Sequence, residues 1–210
     1  MKTQFISASS SMKSTKYMVE LALMIAVTLV MAFTPLGYIK LPLLSASLLT
    51  IPVAVAAVML GPVGGLTIGL VFGLTSFYMA LTGSSALAAQ LMAINPVFCF
   101  LQTVGARAID GLCCGLIFKA MHNNAKTAPF SYYVASFAAP VLNTVFFMGI
   151  MMLCYYNTEY IQGFVTKFGV NNPFSLVVAM VGVQGLLEAV VCTVIGSILS
   201  RVLFKVMHAA

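Results

Sequence analysis

Arg107, Asn143, Gln184 and Glu188 stand out in this chain because each falls inside a long apolar run. An ionisable group at the centre of a membrane helix costs about 2.5–3.5 kcal/mol on insertion scales, so chains keep one only where it meets a partner or serves a polar site. Arg107 lies twelve residues after Asn95, and Glu188 fourteen after Phe174, each near the middle of its run. Asn143 is central in a third run, and Gln184 is one helical turn from Glu188 on the same face. Gln102 is about one and a half turns from Arg107 on an α-helix. Two arrangements are open. Arg107 pairs with Asp110 at i, i+3 while Glu188 finds a cap or a neighbour, or the four converge from three helices on a polar pocket. Three helices each carrying a polar cost favours convergence, with Asp110 as the local partner of Arg107 rather than a ligand contact.

The elements that must position these groups are membrane helices. Of the 210 residues 61% are hydrophobic and 7% charged, and the mean hydropathy is +1.07. Soluble domains carry about 25% charged residues, so the apolar excess here faces lipid. One membrane domain over residues 1–210 is expected, with 1–15 as a cytoplasmic tail. A membrane helix needs about 20 apolar residues. Six segments qualify, from about Lys16 to Gly37, Ser45 to Leu60, Gly61–Pro62 to Thr82, Asn95–Pro96 to Met121, Phe130 to Tyr156, and Pro173 to Met207. The chain is therefore expected to be an all-α integral membrane protein, a six-helix bundle. Residues 83–90 read as a soft linker, and 157–172 as a polar loop. Between the first two helices, Tyr38 to Leu44 is too apolar for an ordinary loop. It reads either as a partial lid folded over the bundle or as a plain tight connection, and the surrounding stretch offers Thr34, Tyr38, Lys40, Ser45 and Ser47 to a ligand.

The formal charge of +6 does not point to nucleic acid, because its placement is that of orientation charge. Lys2, Lys13, Lys16, Lys119, Lys126, Arg201 and Lys205 share one side, against Lys40 and Lys167 on the other, which places both termini in the cytoplasm. The five cysteines lie in or beside apolar runs without CxxC spacing and read as small buried residues. His122 and His208 are the two histidines, so no metal site is expected. There is no nucleotide-binding GxxxxGK[ST], no HExxH, and no serine-histidine pair suited to hydrolysis within the membrane. Glycines 61, 65, 69 and 73 form one face of the third helix, and Gly111 and Gly115 a similar pair in the fourth; close helix packing is the expected use. Ala22 and Ala26 make a small-residue patch on the first helix, with Ala32 on a nearby face.

Several local patterns recur together in order. They are Ala22-x-x-x-Ala26, Thr34-Pro-Leu-Gly-Tyr-Ile followed by Leu41-Pro-Leu, Thr50-Ile-Pro-Val, Leu60-Gly-Pro and Gly69-Leu-Val-Phe-Gly-Leu-Thr-Ser76. Asn95-Pro96 with Arg107, Asn143-Thr144 and Glu188-Ala189 complete them. With the size and the six helices, the chain resembles the substrate-binding subunit of an energy-coupling factor (ECF) vitamin transporter over essentially its whole length. The resemblance implies a non-enzymatic, multi-pass protein of the bacterial cell membrane that binds a water-soluble vitamin from outside, without a cofactor. It implies partners as well: a membrane scaffold subunit and two cytosolic ATPases, with Ala22 and Ala26 docking on the scaffold. Carried over residue by residue, it makes Arg107, Asn143, Gln184 and Glu188 ligand-site candidates, and Tyr38, Lys40, Asn95 and Gln102 join them as substrate-binding candidates. Arg107 or Lys40 neutralising a carboxylate favours pantothenate, with riboflavin, folate or another vitamin as alternatives. A different class, a stand-alone carrier or channel using Arg107, Asp110 and Glu188, is the other reading.

Overall fold

Proline and glycine set the element boundaries. Pro35 disfavours helical geometry at the residue before it, and α1 (Lys2–Phe33) ends there. Gly61 takes φ +73°, a conformation that costs an L side chain energy, and lets α2 (Thr50–Met59) turn directly into α3 (Gly61–Leu81). The computed structural model describes the backbone of residues 2–40 and 45–209, and among them all side chains except those of 2–14, 39, 40, 45, 46, 183 and 207–209. Between α1 and α2 runs an antiparallel hairpin of β1 (Tyr38–Lys40) and β2 (Ser45–Ser47), with Tyr38 opposite Ser47 and Lys40 opposite Ser45. After α3 come α4 (Ala86–Ile94), α5 (Pro96–Phe100), a π-turn (Leu101–Gly105) and α6 (Ala106–His122). The last three form one apolar span of 27 residues. A short 3-10 turn, Ala128–Phe130, leads into α7 (Ser131–Tyr155); α8 (Glu159–Phe168) and α9 (Pro173–Ala209) close the chain.

This is the all-α membrane protein expected, with one small hairpin added. Large apolar side chains cover its outside: Leu153 is 88% exposed and Phe174 79%. Among the described residues, length and composition give five spanning helices, or six if α8 and the start of α9, bent by 75°, count as one. Packing identifies another crossing. The Phe33 and Tyr78 rings meet edge to face at 5.9 Å, so α1 and α3 end at the same level and run parallel. The chain must cross back between them, and the hairpin with α2 does so. Tyr17 and Leu203 pack in one cluster, which puts the start of the first crossing beside the end of the last.

Four sequence expectations change. The second helix was expected from Ser45, but residues 45–47 are a strand and α2 spans 10 residues. At 1.5 Å per residue α2 is about 15 Å long, half of a bilayer core. The first helix ends at Phe33 rather than Gly37, and its backbone is already helical from Lys2, within the expected tail. The soft linker contains α4. The polar loop contains α8, whose Tyr160, Phe164 and Phe168 rings stack along one face while Ile161 is buried. Gly169 at φ +63° ends that helix in the left-handed conformation.

The centre of the bundle is the α3–α6 seam. A Cβ at Gly65 would run into the Gly111 carbonyl, one at Gly69 into the Arg107 carbonyl, and one at Gly73 would lie 2.6 Å from Val104 Cα. On the α6 side, a Cβ at Gly115 would lie 2.5 Å from Pro62 Cα. The glycine faces read from the sequence thus meet each other, backbone to backbone. α2 sits deepest, buried from Thr50 to Val58 and packed on α3, α6, α7 and α9.

Candidate functional site

α2 covers only half a crossing, so irregular backbone of the hairpin must reach membrane depth. Such backbone is tolerated in lipid only where protein buries it or a polar cavity accepts it. The hairpin meets that condition by leaning on α9: the Ser47 N–H donates to Glu188 Oε2 at 3.3 Å. Ser47 and Glu188 are both buried. Leu49, at the start of α2, offers no side-chain cap, so the Glu188 carboxylate also supplies negative charge near that helix's positive end. Thr50 is beside it, with its hydroxyl 2.9 Å from Cys192 Sγ and 3.2 Å from the Ser47 carbonyl.

Arg107 enters the same region from α6. Its guanidinium lies over the rings of Phe72 in α3, at 4.3 Å, and Phe147 in α7, at 4.9 Å. Nη1 donates to the Thr103 carbonyl one turn back at 3.0 Å. Two aromatic rings hold the guanidinium's faces and leave its in-plane N–H groups as the recognition edge. Tyr38 arrives from β1. Arg107 and Glu188 both act electrostatically on its phenol, and Ser76 and Thr75 stand beside it.

Many of these buried groups lack protein partners. Among the described residues the buried side-chain atoms without a hydrogen-bond partner are Tyr38 Oη, both amide atoms of Gln102, Arg107 Nε, both Asp110 oxygens, Ser136 Oγ, Asn143 Oδ1 and Glu188 Oε1. Native interiors leave few such atoms, and four of the residues that carry them, Tyr38, Arg107, Asp110 and Glu188, act on one another electrostatically.

The structure therefore brings Tyr38, Arg107 and Glu188 together, while Gln102 on the π-turn and Asn143 on α7 are both buried. Gln184 is half-buried, one helical turn before Glu188 on α9. Asn95 has a local duty: its Oδ1 caps α5, accepting from Val97 N at 3.0 Å and Phe98 N at 3.2 Å. Its carbonyl also receives the Tyr155 hydroxyl at 2.9 Å. The Lys40 side chain, and that of Ser45, lie outside the described residues. Asp110 corrects the local reading. Expected as the i, i+3 partner of Arg107, it makes no hydrogen bond to it, and both its oxygens lack partners. The guanidinium turns instead to Thr103 and the two phenylalanines. Those rings are residues that sequence reasoning missed, since phenylalanine in a membrane helix carries no signal of its own. On α1, Ala22 and Ala26 are exposed, whereas Ala32 is buried against the bundle.

No curated protein matches the chain. A family model does: that of the substrate-specific component of ECF transporters, over residues 16–200, from the start of the first crossing to well inside the last. A match of that extent over this bundle, with buried polar groups gathered under a hairpin, leads to one conclusion: the chain belongs to the family of ECF transporter substrate-specific components.

Proposed function

We propose that this protein captures a small water-soluble vitamin with a carboxylate, pantothenate before others, from the outer face of a bacterial plasma membrane. As a member of its family it is a binding subunit of a transporter rather than an enzyme. The observation that supports the vitamin reading best is the guanidinium of Arg107. It is buried, lies over the Phe72 and Phe147 rings, and among the described residues donates to the Thr103 carbonyl. A fork held by its faces, with Nε lacking a protein partner, suits in-plane recognition of a carboxylate. Tyr38 and Asn143 add polar atoms, and Phe72 and Phe147 an apolar wall, the usual mixture in a small-molecule site.

Uptake on this reading needs a scaffold subunit and two ATPases. The exposed Ala22 and Ala26 suit the scaffold contact, because small residues let helices approach closely. Both termini face the cytoplasm, since seven of nine loop and terminal basic residues lie at that end. The hairpin over Glu188 is then the outer cover of the site.

The test is pantothenate affinity in detergent for the wild type and Arg107→Ala. A loss of about 100-fold is expected, corresponding to about 2.7 kcal/mol. Equal affinity for the two proteins removes Arg107 from the site. Transport by the isolated chain in liposomes, driven by a proton gradient, would favour a stand-alone carrier instead.

A further inference from the structure

The π-turn changes which residues share the face of Arg107. On a regular α-helix, residues five apart point about 140° away from each other. In an i→i+5 turn they come close to the same azimuth, as i and i+4 do on an α-helix. The turn Leu101–Gly105, where Ala106 N–H bonds to the Leu101 carbonyl, lies between Gln102 and Arg107. It thereby moves Gln102 from nearly opposite Arg107 to the same side. The helices packed on this turn are α3, α6 and α7, and α3 and α7 carry Phe72 and Phe147. Gly73 holds the turn in place from α3, since a Cβ there would lie 2.6 Å from Val104 Cα and 2.9 Å from the Thr103 carbonyl. Thr103 itself receives Arg107 Nη1. π-turns inside α-helices are frequent at functional sites, where the extra residue re-aims side chains.

Gln102 is fully buried, at 0% exposure, yet neither Oε1 nor Nε2 has a partner among the described residues. A primary amide with a free donor and a free acceptor side by side is best complemented by a group that carries N–H and C=O on one edge, as a lactam or an imide does; an acyclic trans amide turns the two apart and meets one of the two atoms. From this geometry we infer that Gln102 is a specificity residue whose amide reads an amide-like group on the substrate, next to the group held by Arg107. The inference rests on the vitamin-binding reading above and narrows its substrate class to compounds carrying adjacent N–H and C=O. Riboflavin has a ring imide that meets both amide atoms and pantothenate an acyclic amide that meets one, whereas pyridoxine has neither group.

The experiment is calorimetric titration of the purified protein with pantothenate, riboflavin and pyridoxine. Wild type, Gln102→Leu and Gln102→Met are compared, together with each ligand-free melting temperature. Pantothenate or riboflavin is expected to bind wild type, and both variants to bind that compound about 100-fold more weakly, since a site built to hydrogen-bond discriminates strongly once its partner is lost. Ligand-free melting should stay level or rise in the variants, because two unsatisfied atoms are removed. Unchanged affinity in both variants overturns the inference and leaves the vitamin reading standing. So does tightest binding of pyridoxine. A sharp fall in ligand-free melting in both variants also overturns it, since Gln102 is then holding the fold. If no compound binds wild type, the parent reading fails first and this one falls with it.

Discussion

Two regions of one helix pair make opposite bargains. Along the α3–α6 seam, Gly65 faces Gly111, Gly69 the Arg107 carbonyl, Gly73 the π-turn, and Gly115 Pro62, all at backbone contact. Among the described residues, none of the seam's glycines leaves a buried side-chain polar atom without a partner. On the neighbouring face the same helices turn Arg107, Asp110 and Gln102 into the interior, where several polar atoms lack partners. Each such atom costs about 1–3 kcal/mol. Packing contacts drive helix association in lipid, where the hydrophobic effect between helices is absent. The seam thus supplies stability that the polar face gives up, and the contrast separates residues kept for folding from residues kept for binding.

The sharpest way to break this comparison is to put a side chain into the seam. Gly65→Leu forces α3 away from Gly111 and Ala57, where even a single Cβ does not fit. A loss of about 3 kcal/mol or more is expected, read as lost monodispersity or a collapsed melting transition in detergent. Gly149→Leu is the control: it lies in α7 with open space around it and should melt within a few degrees of wild type. Equal behaviour of the two would mean that the seam carries no special share of stability.

Next in size is Asp110→Asn. The substitution keeps the shape and removes a fully buried carboxylate whose two oxygens have no hydrogen-bond partner. Replacing such a group is expected to raise ligand-free stability by about 1–3 kcal/mol, measured as a higher melting temperature. A fall of similar size would place Asp110 among the structural residues and shift the boundary between the two regions.

How far the sequence foretold this contrast depends on the kind of signal. Glycines four apart mark a helix face whatever that face touches, so the seam was legible from residues 61 to 73 and from 111 and 115. Arg107 and Glu188 were legible as ionisable groups in apolar runs. The hairpin was not, because residues 38–47 show no alternation. The aromatic spacing of Tyr160, Phe164 and Phe168 did encode α8, and the asparagines and Lys167 around it concealed the pattern. The π-turn has no residue signature, so the spacing of about one and a half α-helical turns did not reveal how Gln102 is aimed relative to Arg107. The pairing of Arg107 with Asp110 failed for a related reason. Spacing shows which groups can meet on one helix, but Phe72 and Phe147, brought by two other helices, decide where the guanidinium lies.

The smallest expected effect belongs to Glu188→Gln, and it tests a residue that stands on the border. Glu188 Oε2 serves the fold by accepting the Ser47 N–H, while Oε1 has no partner. An amide oxygen accepts the same bond, so the hairpin keeps its anchor. The variant loses the favourable term between a carboxylate and the start of α2, about 0.3–1 kcal/mol. It also escapes the cost of a buried charge, which acts in the other direction. The net change in ligand-free stability should therefore stay within about 1 kcal/mol, measured by thermal melting alongside Glu188→Ala, which removes the acceptor altogether and should cost more. If Glu188→Gln proves as damaging as Glu188→Ala, the charge itself holds the hairpin down, and Glu188 belongs with the seam as a folding residue. If both variants melt like wild type, Ser47 gains nothing from α9, and the hairpin must be held by its own ladder and by Tyr38.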